Sequence, residues 1–307
     1  MRELIKSLFA LLLLISTNSF SQPNYPTEAD KGKLIYTDVE NFLNAYAKLN
    51  PYSDTIDILK THYFDLASIG LKEYITRHGL TPEMLRTAIA SNQEHYEKLN
   101  AFFSKIETFE SRYTATLKTF KKVVPSAMFP PTYLLVGAHR GIAQGSKVGQ
   151  LVTITKMLDS EEHLLKFIIH ELSHFQQAMT MGISTYSALF SKEKNMLGLC
   201  LREGGAELIT KLVINDITQT EALKYLNNNR QKLKKRFVED LSAQEKKYWL
   251  WESLENKETP KLLGYAMGFE ICEAYYKQSQ DKKQAIQDIL GIVNPEEFLI
   301  KSTYITN

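Results

Sequence analysis

Between Ser160 and Gly182 the sequence specifies a helix with both ends marked. Ser160 is an N-cap residue, Glu161 and Glu162 fall in the first turn where the helix dipole favours acidic side chains, and Gly182 suits a C-cap. Leu165, Ile168, Ile169, Leu172 and Phe175 recur at helical spacing, so one face of the segment must be buried. A helix of this kind needs other apolar elements around it. The chain supplies them: its 307 residues are 44% hydrophobic and 23% charged, which is enough to bury a large core.

His170-Glu171-Leu172-Ser173-His174 stands inside that helix. At about 100° per residue, His170 and His174 share a face one turn apart, so two imidazoles converge where a single ion can be held. Glu171 is rotated about 100° from His170, so it can reach a water at such an ion without becoming a ligand. This is the H-E-x-x-H arrangement, in which Zn²⁺ lowers the pKa of its water and the glutamate takes the proton. Phe175-Gln176-Gln177-Ala178 does not continue it as His-x-x-Gly-x-x-His, which excludes the metzincin class.

Further on, Leu201-Arg202-Glu203-Gly204-Gly205-Ala206-Glu207-Leu208 lies on a second apolar-periodic helix expected to run to about Ile214. Glu203 and Glu207 are i, i+4 and share a face, so one can bind metal while the other orients a ligand histidine. The bland alternative pairs them with Arg202 or Lys211 on a wet face. Two consecutive glycines in a helix cost about 1 kcal/mol each relative to alanine, and a close approach to the histidine helix would offset that.

His170-Glu171-x-x-His174 followed by Glu203-Gly204-Gly205-Ala206-Glu207 resembles the gluzincin pattern of thermolysin-like enzymes. More closely, the chain resembles a family of predicted zinc-dependent bacterial proteases. That resemblance takes in Thr132–Met157, the two motifs, and Leu263–Gly268 through Asp281–Ile286. It implies a gluzincin-like metallopeptidase fold, mainly helical with a small β-sheet. It also implies Zn²⁺ held by His170, His174 and Glu203, Glu171 as general base, Glu207 supporting a ligand histidine, and a peptide or protein substrate. Gluzincins take their oxyanion donor from a Tyr or His on a later helix, and Tyr265 in Gly264-Tyr265-Ala266-Met267-Gly268 is the candidate. A tyrosine packed in the last helical layer fits that position equally well. A zinc-containing envelope binding or assembly protein without turnover, or a zinc hydrolase of a non-peptide bond, are the competing functions.

Three regions are expected: a signal peptide over 1–21, an N-terminal helical module over 22–121 and a metallopeptidase-like region over 122–307. Arg2 and Lys6, the apolar run Ser7–Ile15 and Ser19-Phe20-Ser21 read as a signal peptide cleaved before Gln22, and imply export to the periplasm or medium. No later stretch reaches the roughly 20 apolar residues of a transmembrane span. Helices are expected at Thr55–Phe64, Gly70–His78, Pro82–Ser104 and on to Phe120, with Thr81 capping Pro82. Tyr74, Tyr96, Phe102 and Phe103 read as packing residues in this all-α half. Thr132–Gly137 and Leu151–Thr155 read as strands joined by a glycine-rich hairpin connection through Gly141, Gly145 and Gly149.

Charge is mixed along the chain and nets to +2, so nucleic acid is not expected as a partner. Arg230, Lys232, Lys234, Lys235 and Arg236 are followed by Glu239 and Asp240 and read as a solvated helix face. Cys200 and Cys272 fit either one disulfide or two buried thiols. His139 and Arg140 follow the first strand, as cleft lining or as surface loop. His163 shares the motif helix but stands two turns from His170 and reads as a non-ligand, while His62, His78 and His95 have no partner pattern.

Overall fold

The sheet draws strands from both of the expected regions, 22–121 and 122–307. It contains β1 (Leu34–Ile35), β2 (Thr132–Leu135), β3 (Ala143–Ser146) and β4 (Gly149–Thr153) in the order β1-β2-β4-β3. The first three neighbours run parallel, and β3 is antiparallel to β4 at the edge. The structure is a computed structural model describing residues 25–138, 143–155, 157–158, 160–190, 195–243, 249–250 and 260–305. The expected signal peptide, and His139 and Arg140, lie outside these residues.

Two expectations need correction. The glycine-rich stretch is not a hairpin between the two expected strands, because β2 and β4 pair in parallel; its second half is itself a strand, and the tight turn is Lys147–Val148. Gly149 has φ +137°, and a Cβ there would lie 2.2 Å from the Pro131 carbonyl oxygen. The first half of the chain is not wholly helical either, since Leu34–Ile35 joins the sheet beside β2. A two-residue strand is too short to show any periodicity.

The helices are α1 (Thr37–Tyr46), α2 (Thr55–Leu59), α3 (Ile69–His78), α4 (Pro82–Ser91), α5 (Gln93–Phe103), α6 (Ile106–Val123) and α7 (Glu161–Met181). They continue as α8 (Ile183–Leu189), α9 (Met196–Ile214), α10 (Thr220–Asn228), α11 (Arg230–Ala243), α12 (Leu263–Gln278), α13 (Lys282–Leu290) and α14 (Pro295–Lys301). The molecule is therefore mainly helical with a small mixed sheet. The expected helix over Pro82–Ser104 is two helices. Asn92 leaves helical dihedrals and its side-chain amide bonds the Ala88 carbonyl at 3.2 Å, a competition that asparagine offers the backbone. After Leu59 the α2 helix widens into a π turn over Lys60–Phe64.

One apolar cluster runs from the N-terminal helices across the sheet to α7, and includes Phe42, Tyr63, Leu134, Ile154, Ile168 and Leu172. Tyr74 and Tyr96 are fully buried in it, Phe102 is buried, and Phe103 packs against it. A second cluster gathers α9 and α12 with the C-terminal helices around Leu201, Trp249, Met267 and Phe298. In the basic run on α11, Arg230, Lys232 and Lys235 are exposed as expected of a solvated face, and Arg230 also forms a two-pronged ion pair with the buried Glu270 at 2.6 and 2.7 Å. Among the described residues, no helix is long and apolar enough to cross a membrane.

Candidate metal centre

The motif helix forms as its end signals require. The Ser160 hydroxyl accepts from the His163 amide at 3.1 Å, and Gly182 closes α7 with φ +82°. Its inner face buries Ile168, Ile169 and Leu172 against the sheet-side core, and this places His170 and His174 opposite α9.

His170, His174 and Glu203 come together there. Glu203 Oε2 lies 3.0 Å from His174 Nε2 and 3.3 Å from His170 Nε2, and the two Nε2 atoms are 3.1 Å apart. Ligand atoms about 2.1 Å from a tetrahedral ion stand roughly 3.4 Å from one another, so the three donors have the spacing of three corners of such a site. His170 and Glu203 are buried and His174 nearly so. Two imidazole nitrogens and a carboxylate oxygen, removed from water and aimed at one point, can hold a metal ion. Among the described residues this is the group of donors placed to do so.

The surrounding residues divide the work of holding the donors. Glu203 Oε1 is engaged by the neighbouring Arg202 through Nε at 3.0 Å and through Nη2. Burial opposes ionisation of Glu203, but the Arg202 guanidinium and His174 outweigh it and hold the carboxyl well below its usual range. The pairing of Glu203 with Arg202 is thus present, but buried at the donor cluster and not on a wet face. Glu207 Oε1 lies 3.5 Å from His170 Nδ1, and its carboxylate is held by the Thr218 amide at 2.7 Å and by the Thr218 hydroxyl. His174 Nδ1 is met by Gln177 Oε1 at 2.9 Å.

Glu171 follows His170 but is not one of the converging donors. Burial pushes its carboxyl up to about 7; His170 works against the rise and Glu203 adds to it. Tyr265, on α12, sets its ring within 12° of parallel to that of His170, with centroids 6.1 Å apart. His163 packs against Phe167 and has no part in the cluster, and His78 bonds Gln144 at 2.5 Å. Cys200 and Cys272 are free and buried, so the two-thiol reading is the one that holds.

The expected close approach to the histidine helix accounts for one glycine of the pair. Gly204 faces Gly268 of α12, and only Gly205 looks toward the histidine helix, at Gln177, with Ile289 of α13 beside it. Gly268 meets Cys200 and Gly204 of α9, and Gly264 packs against the Trp249 carbonyl and Cys200 Sγ. Gln177 carries no signal in the sequence beyond its i+3 spacing from His174, and Tyr186 on α8 carries none, although it lies in the electrostatic neighbourhood of Arg202, Glu203 and Glu171.

Comparison with family models, with curated proteins and with solved structures finds no match to this chain.

Proposed function

We propose that this chain is an exported zinc-dependent hydrolase acting on peptide bonds. The observation that carries the reading is the meeting of His170 Nε2, His174 Nε2 and Glu203 Oε2 at 3.0 to 3.3 Å, beside a glutamate that is not one of them. A purely structural zinc site favours four protein ligands and needs no base. Zn²⁺ bound there supplies Lewis acidity toward a scissile carbonyl and toward water. The residues do the rest. Glu171, which follows His170 on α7, takes a proton from the attacking water and returns it to the leaving amine. Tyr265 offers its hydroxyl to the developing oxyanion.

Peptide as the substrate class draws support from the sheet. β3 ends the sheet and lies by α7, so among the described residues one row of its backbone groups faces no strand and an extended peptide can pair there. Export rests on the pattern of Arg2, Lys6 and Ser7–Ile15.

The test is metal analysis of wild type and Glu203→Ala, with peptide-library cleavage by wild type and Glu171→Gln. We expect near-stoichiometric zinc in wild type, markedly less in Glu203→Ala, and no cleavage by Glu171→Gln although its zinc is retained. Unchanged zinc in Glu203→Ala would refute the ligand set. Zinc without cleavage of any peptide would favour a binding protein or a non-peptide substrate.

A further inference from the structure

We propose that Gln177 is a positioning residue that sets the tautomer of His174 and locks its ring to α9, and that Gly205 is glycine to admit it. This rests on the reading of the cluster as a metal centre, and extends it to a residue outside the H-E-x-x-H and E-G-G-A-E motifs.

Gln177 is 2% exposed, and both ends of its amide are engaged. Its Nε2 donates to the Arg202 carbonyl at 2.8 Å, and its Oε1 lies 2.9 Å from His174 Nδ1. The orientation follows from donor and acceptor chemistry. A backbone carbonyl only accepts, so the amide atom facing Arg202 must be the nitrogen. The oxygen therefore faces His174, and an oxygen there requires Nδ1 to carry the hydrogen. In the neutral ring this leaves the Nε2 lone pair aimed at the point shared with His170 Nε2 and Glu203 Oε2, as a metal ligand requires.

The same amide ties two helices together. Arg202 precedes Glu203 on α9, so one side chain of α7 spans from a donor imidazole to the backbone beside the donor carboxylate. The distance between His174 and Glu203 is thereby held from both sides. His170 has a looser arrangement, because Glu207 stands 3.5 Å from its Nδ1 and spends its shorter bonds on Thr218. Gly205 makes room for the bridge: a Cβ there would lie 3.1 Å from Gln177 Nε2 and 3.0 Å from the Ile289 methyl. Alanine would otherwise be favoured at a helix interior position by about 1 kcal/mol.

The experiment uses the full chain in two forms. In metal-free, ¹⁵N-histidine-labelled protein, NMR reads the His174 tautomer; we expect the Nδ1–H form in wild type and loss of that preference in Gln177→Leu. Zn²⁺ affinity is then measured against a competing chelator. We expect Gln177→Leu to bind about 10–100-fold more weakly. Gln177→Glu keeps an acceptor for Nδ1–H but loses the donor to the Arg202 carbonyl, so it should retain the Nδ1–H form and bind more weakly than wild type yet more tightly than Gln177→Leu, and it carries the comparison should the leucine variant fail to fold. Retention of the Nδ1–H form in Gln177→Leu, affinity of that variant within twofold of wild type, or equal weakening in Gln177→Glu and Gln177→Leu would overturn the proposal. A wild-type chain that binds no zinc would refute the metal reading instead, and the tautomer measurement would still decide the role of Gln177.

Discussion

Gly204 on α9 and Gly268 on α12 meet backbone to backbone. A Cβ on Gly204 would lie 1.9 Å from the Gly268 carbonyl carbon, and one on Gly268 would lie 1.8 Å from the Cys200 carbonyl oxygen. This contact sets how near the helix of Glu203 stands to the helix of Tyr265. The obstructing atoms are main chain on both sides, so no side-chain rotation relieves the overlap.

Gly204→Ala should therefore destabilise the protein by about 3 kcal/mol, the upper end for overpacking a core, despite the better helix propensity of alanine. Gly145→Ala is the control, because a Cβ there meets nothing within 4 Å, and it should change stability by no more than about 0.5 kcal/mol. Urea denaturation of the two variants measures the difference. Equal stabilities would mean that α9 and α12 separate easily.

Zn²⁺ added to the metal-free chain at about 100 times its dissociation constant should stabilise the fold by about 2.7 kcal/mol. The rise in thermal midpoint should disappear in Glu203→Ala and persist in Tyr265→Phe, since Tyr265 is not among the converging donors. A midpoint shift that survives Glu203→Ala would place the ion elsewhere.

For turnover, Tyr265→Phe should lower kcat by about 10²–10³-fold, the usual effect of removing one oxyanion donor, with KM and zinc content near wild type. Steady-state kinetics on the best peptide of the library tests this. An unchanged kcat would return Tyr265 to the role of a packed ring beside His170, and Tyr186 would become the donor to examine.

Asp38 gives a pH dependence of stability. It is fully buried on α1, where its carboxylate accepts from the Ser68 amide at 2.9 Å and from the Ser68 hydroxyl at 2.5 Å. Burial raises its carboxyl above the usual range, and the Ser68 bonds oppose the rise without cancelling it. Because the folded-state value lies above the unfolded one, the stability contribution is complete below the unfolded value, about 3.9, and is lost as pH rises through the folded value. Asp38→Asn does not titrate, so its stability relative to wild type should improve from about pH 4 upward until the folded-state value of Asp38 is passed, and then level off. Denaturation midpoints at several pH values check this, and a difference independent of pH would contradict it.

Helix ends were the most legible part of the fold. Ser160, Thr81 and Gly182 act where their types predict, because capping depends on a few neighbouring backbone groups. The convergence of His170 and His174 was legible for the same reason, as two side chains one turn apart on one helix. Illegible were the parallel register of β2 with β4, the strand pairing of Leu34–Ile35 and the partner of each glycine, since all depend on segments distant in sequence.

The sequence by itself determined the two helices, the spacing of His170, Glu171 and His174, and the shared face of Glu203 and Glu207, all set by the pitch of the α-helix. Tertiary packing decided that Glu203 Oε2, and not Glu207, meets the two Nε2 atoms, that Arg202 occupies the other carboxylate oxygen, and that Gln177 bridges α7 to α9. The reason is physical. Helical pitch specifies which side chains share a face, but only the contact of Gly204 with Gly268 and the space left at Gly205 specify how close, and at what rotation, the faces of α7, α9 and α12 are brought together.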